Sequence, residues 1–442
     1  MRKPLIAVLL AGAFLSLNAH ALDLLQVYQE AQAADAVFAS ARAAAAAGRE
    51  REAQGRAGLL PVVGVSGSYN RTDAENFEVG GFSRPDTDFS SRGYTISLSQ
   101  PLFRLANWEQ YQQGKLSVAA SEAQFAQARQ DLIVRVAQAY FDVLASQDAL
   151  ASVQAQKTAI TEQLASAKRN FEVGTATITD THEAQARYDL VLAQEFAAQN
   201  DLEIKRSALQ QIIGKPAGAL ATLRPGIRLN SPEPATLDNW VQSAEQQNFG
   251  VIGQQLALEI AQREIKRSRA GHYPTVDLVA SRNHTNQSGS TQTPGVGTTG
   301  DTNSIGVQWN IPIFSGYAVT SRVREAIALE ERSRADLENA RRTAAQGARQ
   351  AFLGVNAGLA QVRALEAAEV SSQSALESNR LGYQVGVRIN IDVLNAQQQL
   401  FSTRRDLSRA RYDTIVNGLR LKAAAGVLKE EDLVQVNALL QQ

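Results

Sequence analysis

A stretch of 59 residues without glycine or proline, Lys115–Val173, constrains the fold of this chain more than any other feature of its sequence. At about 1.5 Å per residue, a helix over the whole stretch would be roughly 90 Å long. An ordinary globular domain does not contain such a helix, which favours a coiled coil or a tube of helices. The apolar spacing agrees, because steps of seven, four and seven residues separate Val153, Ile160, Leu164 and Phe171.

Two structural repeats make up most of the chain. The phrase FEVGTATITD at Phe171–Asp180 returns 212 residues later as YQVGVRINID at Tyr383–Asp392. Other matches keep the same order, including Pro101 with Pro312, and matches in one order along a chain indicate repeated units. The predicted organisation is repeat 1 over residues 22–222, a proline- and glycine-rich linker over 223–235, repeat 2 over 236–426 and a C-terminal segment over 427–442.

Each repeat is predicted to have one layout: a first helix, two strands, a long helix, a turn and a returning helix. The first helices are predicted over Leu24–Ala57 and about Trp240–Ala270. The second long helix is predicted over about Tyr317–Leu381. This segment contains three glycines, and glycine has a low helix propensity, so the sequence does not decide whether the helix is continuous.

Four short segments alternate between apolar and small polar residues: Val62–Asn70, Tyr94–Gln100, Val276–Ser281 and Ser304–Ile311. This pattern suits a transmembrane barrel strand. The alternative is an ordinary sheet packed on a hydrophobic core. A chain with only 6% aromatic residues has few large side chains with which to form such a core. Four strands cannot close a membrane barrel, which needs about eight, and open edges are not tolerated in lipid. If these strands span a membrane, several chains must therefore pool them, and the pattern does not choose between two chains and three.

Composition and charge exclude several classes of protein. The chain has no cysteine, which excludes disulfides, thiolate metal sites and a cysteine nucleophile. It carries 44 basic and 44 acidic residues, so the protein has no strong positive electrostatic field that would favour nucleic acid as a partner. Residues 1–21 are predicted to be a secretory signal peptide, with Arg2 and Lys3 before an apolar stretch and a small-residue cleavage site at Ala21.

No enzymatic site is readable from the sequence. GVGTTG at Gly295–Gly300 lies in a loop rich in serine, threonine and glycine and opens no helix. His182 and Glu183 lack the second histidine of a zinc-protease motif. We therefore predict no catalytic residues, no metal site and no cofactor.

The chain resembles a TolC-type outer-membrane channel, which is the outer-membrane factor of efflux pumps and type I secretion. The resemblance covers essentially the whole mature chain. It rests on landmarks that occur in one order: LLQVYQEAQ, AGLLPVV, LSQPLF, AQAYFDVL, FEVGTATITD, AGHYPTVDL, IPIFSGY and YQVGVRINIDVLNAQ.

The resemblance implies a mainly α-helical fold with membrane β-structure. A homotrimer would form a 12-stranded transmembrane β-barrel in the outer membrane of a Gram-negative bacterium and a long coiled-coil tunnel in the periplasm. Glycine-rich loops, about Thr72–Ser91 and Asn286–Asn303, would lie outside the cell. The tunnel would dock with a periplasmic adaptor and an inner-membrane transporter of the RND, ABC or MFS type. Residues around Leu220–Pro234 and the C-terminal segment would form a belt around the tunnel.

The resemblance also implies a gate at the periplasmic tip. Gly174 and Gly386 would sit in the two turns that join descending to returning helices, since glycine suits a tight reversal. The closed state would be held by four further residues: Thr179, Asp180, Tyr383 and Arg388. A simpler role for Asp180 is to stabilise the N-terminus of the returning helix.

The narrowest ring would be formed by Asp392 and Asn395, three residues apart on one helix face. The family pattern has a second aspartate at the position of Asn395. We therefore expect a weaker preference for cations here. An alternative interpretation of the whole chain is a periplasmic coiled-coil adaptor or structural protein, which would not need four amphipathic strands.

Overall fold

The computed structural model describes residues 21–75, 78–83 and 86–441; the predicted signal peptide, apart from Ala21, lies outside them. The helices are α1 Leu24–Ala34, α2 Ala36–Ala57, α3 Leu105–Glu172, α4 Ile178–Ile213, α5 Leu237–Gln247, α6 Phe249–Arg269, α7 Ala318–Gln384, α8 Asn390–Ala424 and α9 Glu430–Asn437. The strands are β1 Val62–Ala74, β2 Glu78–Val79, β3 Phe82–Ser83, β4 Thr87–Phe103, β5 Thr275–Gln287 and β6 Thr298–Asn310. The prediction of a mainly α-helical chain with a small sheet is confirmed.

The first helix of each repeat is broken, so the prediction of single helices was wrong at this point. Asp35 separates α1 from α2, and its carboxylate accepts a hydrogen bond from the backbone N–H of Phe38 at 2.6 Å. Asn248 separates α5 from α6 and accepts from the N–H of Gly250 at 2.9 Å. In both cases a short polar side chain caps the next helix and competes with continuation of the first.

The long helices α3 and α7 contain 68 and 67 residues, which gives each a length of roughly 100 Å. Helix α3 begins ten residues before Lys115 and includes Gly114, where a Cβ would stand 2.7 Å from the carbonyl oxygen of Arg51 on α2. Helix α7 continues through Gly347, Gly354 and Gly358, and a Cβ at Gly358 would overlap the side chain of Thr414 on α8. Gly114 and Gly358 therefore permit close helix packing rather than ending their helices.

The four long strands form one antiparallel sheet in the order β1-β4-β5-β6. The register places Val65 beside Ile96 and Ala280 beside Ile305, so apolar side chains share one face. The other face carries small and polar residues, including Ser97 paired with Gly64. The outer edges of β1 and β6 are unpaired among the residues described.

The strands reach further than the sequence indicated. Pairing of β1 with β4 continues to Ala74 and Thr87, and pairing of β5 with β6 continues to Gln287 and Thr298. The predicted loops are correspondingly shorter, because backbone pairing persists through serine- and glycine-rich sequence whose side chains give no strand signal.

The largest buried cluster lies midway along the helices, where the chain termini meet the linker. Tyr140 is fully buried, and its hydroxyl donates to the carbonyl oxygens of Ala221 at 2.7 Å and Leu22 at 3.1 Å. The side-chain oxygen of Asn437 in α9 accepts from the N–H of Leu24 at 3.0 Å and so caps α1. Within the described part of the chain, no helix is both long and apolar enough to cross a membrane.

Candidate functional site

Two turns of matching geometry join α3 to α4 and α7 to α8. Gly174 has a φ of 78° and Gly386 a φ of 79°, which is the left-handed region that glycine enters without steric cost. The N–H of Gly174 donates to the carbonyl of Phe171 at 3.0 Å, and the N–H of Gly386 donates to that of Tyr383 at 3.1 Å. The repeated phrase in the sequence therefore encodes one turn built twice.

Asp180 lies in the first turn of α4 and completes a capping box. Its carboxylate accepts from the backbone N–H of Thr177 at 3.0 Å and from the hydroxyl of Thr177 at 2.9 Å. In return, the N–H of Asp180 donates to the Thr177 hydroxyl at 3.3 Å. Thr179 is exposed, and its side chain forms no hydrogen bond with any residue that the structure describes. Within one chain, Asp180 thus has the helix-capping role that the sequence left as the simpler alternative.

Tyr383 occupies the last turn of α7 and faces the neighbouring helical hairpin. Its hydroxyl accepts a hydrogen bond from Nδ2 of Asn170 at 3.4 Å, near the outer limit of such bonds. This bond joins α7 of the second repeat to α3 of the first. Tyr383 is consequently placed at the contact between the two hairpins, next to both turns.

Arg388 follows the second turn and is only loosely held. Its guanidinium lies 3.6 Å from the carboxylate of Asp392, and its side chain is 59% exposed. Its aliphatic stem packs against Gly382, where an added Cβ would stand 2.7 Å from Arg388 Cγ. The single chain does not pair Arg388 with Thr179 or Asp180, and the exposed guanidinium has free donors for a further partner.

Asp392 and Asn395 lie in the first two turns of α8. No side chain caps the start of this helix, because Ile389 stands where Thr177 stands in the first repeat. The amide oxygen of Asn395 accepts from Nη2 of Arg187 on α4 at 2.9 Å. Nη1 of the same arginine donates to Gln398 at 2.7 Å. One guanidinium therefore joins the two returning helices beside the predicted constriction.

Sequence reasoning missed Arg187 and a second polar contact between the repeats. Asn390 is 1% exposed and accepts a short hydrogen bond from the side chain of Gln163 on α3. Its own amide group donates to the carbonyl of Asp180 at 3.5 Å. A comparison of the two repeated phrases could have found part of this set. The phrases share Val-Gly and Asp, but the second has Tyr383, Arg388 and Asn390 at the positions where the first has Phe, Ala and Ile.

The turns also present apolar side chains to solvent. Val173 is 73% exposed in the first turn, and Val387 is 79% exposed in the second. Ile178 and Ile389, which flank the same turns, are exposed as well. A cluster of exposed apolar residues rimmed by polar groups is typical of a contact surface for another protein.

The chain is similar to known proteins over most of its length. Residues 27–215 and 240–427 match the family model "Outer membrane efflux protein". The chain is 33% identical over 438 residues to the outer membrane protein TolC of Vibrio cholerae, covering 99% of this chain and 98% of that protein. It is 34% identical over 438 residues to the alkaline protease secretion protein AprF of Pseudomonas aeruginosa, covering 97% and 90% respectively.

A solved structure shares the fold. The outer membrane protein VceC of Vibrio cholerae superimposes with a TM-score of 0.77 and covers 91% of this chain and 96% of its own. The sequence identity is 19%, so this likeness bears on the fold alone.

Proposed function

The chain belongs to the outer membrane efflux protein family, and on that premise we propose how it acts as an outer-membrane exit duct. It serves efflux, type I protein secretion or both, in the outer membrane of a Gram-negative bacterium, with its helices in the periplasm. The proposal concerns its assembly, its gate and its partners. The adaptor alternative is not favoured, because the family match covers both repeats.

Three copies form the duct by pooling their sheets into one 12-stranded barrel. The observation that carries this proposal is the four-stranded sheet with unpaired outer edges at β1 and β6 among the described residues. Val65, Ile305 and Trp309 on its apolar face are 72%, 78% and 67% exposed. Edges of this kind are not stable in lipid unless another chain covers them, and an apolar outer face suits the hydrocarbon region.

The turns form the gate of the duct. Three chains bring six turns together at the end of the helices, and the polar contacts that Tyr383 and Arg388 make with described residues are weak: the first is partly buried but long, and the second is exposed. Tyr383 with Asn170 and Arg388 with Asp392 are each links of about 0–1 kcal/mol. In the trimer, Arg388 turns its free donors towards Thr179 and Asp180 of a neighbouring hairpin. Links this weak can be broken by a docking protein.

A periplasmic adaptor and an inner-membrane transporter supply that docking and the energy for transport. The exposed Val173 and Val387 support a contact at the turns. A photo-reactive amino acid at Val387 is expected to cross-link to an adaptor in cells, whereas the same probe at Phe314, 75% exposed after β6, is not. Equal cross-linking to an adaptor from both positions would contradict docking at the turns.

Reconstitution in a planar lipid bilayer tests the duct itself. The purified full-length protein is expected to produce discrete conductance steps. An adaptor or structural protein would leave the bilayer current unchanged, and that result would overturn the proposed function.

A further inference from the structure

The guanidinium of Arg187 is held at the level of the constriction by the opposite repeat. It donates to Asn395 at 2.9 Å and to Gln398 at 2.7 Å, and both acceptors are exposed amides on α8. Two hydrogen bonds from one planar group fix its position better than a single bond would. The positive charge therefore lies beside the residue that stands where the family pattern has a second aspartate.

No carboxylate neutralises this charge. Arg187 forms no ion pair with any residue that the structure describes, and Asp189, two residues on, accepts instead from Gln185 at 3.0 Å. Arg187 also lines a cavity of about 100 Å³ with Gln156, Gln194, Gln398, Ser402 and Arg405. The other arginine of that cavity, Arg405, lies 3.6 Å from the carboxylate of Asp406, so among the described residues Arg187 is the arginine of this cavity that has no acidic partner.

Resting on the proposed function, we infer that Arg187 is a second determinant of ion selectivity in the duct. Among the site residues of each chain, Asp180 and Asp392 contribute two negative charges, and Arg388 and Arg187 contribute two positive charges. Arg187 therefore offsets one carboxylate of this set and lowers the preference for cations. Without Arg187, these residues would carry one more uncompensated negative charge per chain, or three in the trimer.

The same geometry predicts that Arg187→Gln and Asn395→Asp act in the same direction. The new carboxylate would lie where the amide oxygen now accepts from Arg187 at 2.9 Å, so it would form an ion pair with the guanidinium. Either substitution makes the net charge of each chain at this level more negative by one, because an Arg187 charge that is paired with the new carboxylate no longer offsets Asp180 or Asp392. The effects of the two substitutions on the permeability ratio should therefore multiply.

The test is a cycle of four proteins in planar bilayers: the parent, Arg187→Gln, Asn395→Asp and the double variant. Reversal potentials under a potassium chloride gradient give the cation-to-anion permeability ratio. Three unit charges about 10 Å from the pore axis should change that ratio about fivefold in salt solution. We expect an increase of this size for Arg187→Gln and for Asn395→Asp alone, and a further increase of similar size for Asn395→Asp on the Arg187→Gln background.

Two further variants make the result specific. Arg187→Lys keeps the charge without the planar group and should leave the ratio within twofold of the parent, which a purely structural role would not predict. Arg206→Gln removes an exposed arginine from the same helix far from the turns and should have no effect. An unchanged ratio for Arg187→Gln would overturn the inference. Failure of the parent to conduct would instead overturn the proposed function.

Discussion

The gate is best tested by removing its two polar groups together, as Tyr383→Phe with Arg388→Ser. The first substitution removes the hydroxyl that accepts from Asn170 at 3.4 Å. The second removes a guanidinium whose side chain is 59% exposed and which, among the described residues, pairs with Asp392 at 3.6 Å. Arg388 is exposed and Tyr383→Phe keeps the partly buried ring, so we expect the fold to survive both substitutions.

The expected magnitude follows from the exposure of these groups. Exposed polar links contribute about 0.5 kcal/mol each, so two links in each of three chains amount to about 3 kcal/mol. Since about 1.4 kcal/mol corresponds to a tenfold change in an equilibrium constant, the closed-to-open ratio should fall about a hundredfold. A duct that is almost always closed would then be open for a measurable share of the time.

Single-channel recording in planar bilayers measures this directly. The double variant should show a higher resting conductance or a higher open probability than the parent at the same voltage and salt. The matched control is Tyr111→Phe with Arg206→Ser, which removes the same chemical groups from α3 and α4 away from the turns; the hydroxyl of Tyr111 also makes a 3.4 Å hydrogen bond, to Glu52. Resting conductance equal to that of the parent, or an equal rise in the control, would refute a gate held by Tyr383 and Arg388.

Three further predictions concern stability, measured by thermal or denaturant unfolding of the protein in detergent. Tyr140→Phe should lower the free energy of unfolding by about 1–3 kcal/mol, because the buried carbonyl of Ala221 loses its donor at 2.7 Å; no change would contradict this. Gly426→Ala should cost more than about 2 kcal/mol, since a residue at a φ of 75° would be strained and its Cβ would overlap the carbonyl of Gln247; tolerance would argue against this packing. Partial burial acts to raise the pKa of Glu430, but the hydrogen bond from Arg129 and others outweigh it and hold the pKa below its ordinary 4.5. The stabilisation is therefore present above pH 4.5 and lost as the pH falls through the lowered pKa, so Glu430→Gln should destabilise at pH 7 and converge with the parent in acid.

The long helices were predictable because their signal is local. Both parts of this signal, the absence of glycine and proline and the heptad spacing, can be read from the segment Lys115–Val173 alone. The break at Asp35 was not predictable in the same way. An aspartate in a helical pattern shows no sign that its side chain will cap the next helix, and the ion pair with Arg135 at 2.9 Å joins residues a hundred positions apart.

The turns were predictable and the contacts beside them were not. Gly174 and Gly386 appear in a repeated phrase, and their conformation depends on a few neighbouring residues. The bonds from Arg187 to Asn395 and from Gln163 to Asn390 depend on how two hairpins pack side by side. That packing register is fixed by many apolar contacts, and no short stretch of sequence encodes it.

Native mass spectrometry tests the central claim most directly, because it measures the mass of the intact assembly after its release from detergent. The proposed 12-stranded barrel requires three chains, because each chain supplies four strands. We expect a dominant species at three times the mass of the mature chain. A dominant monomer or dimer under conditions that preserve the helical content would contradict the shared barrel, and with it the gate and the constriction that three chains would form.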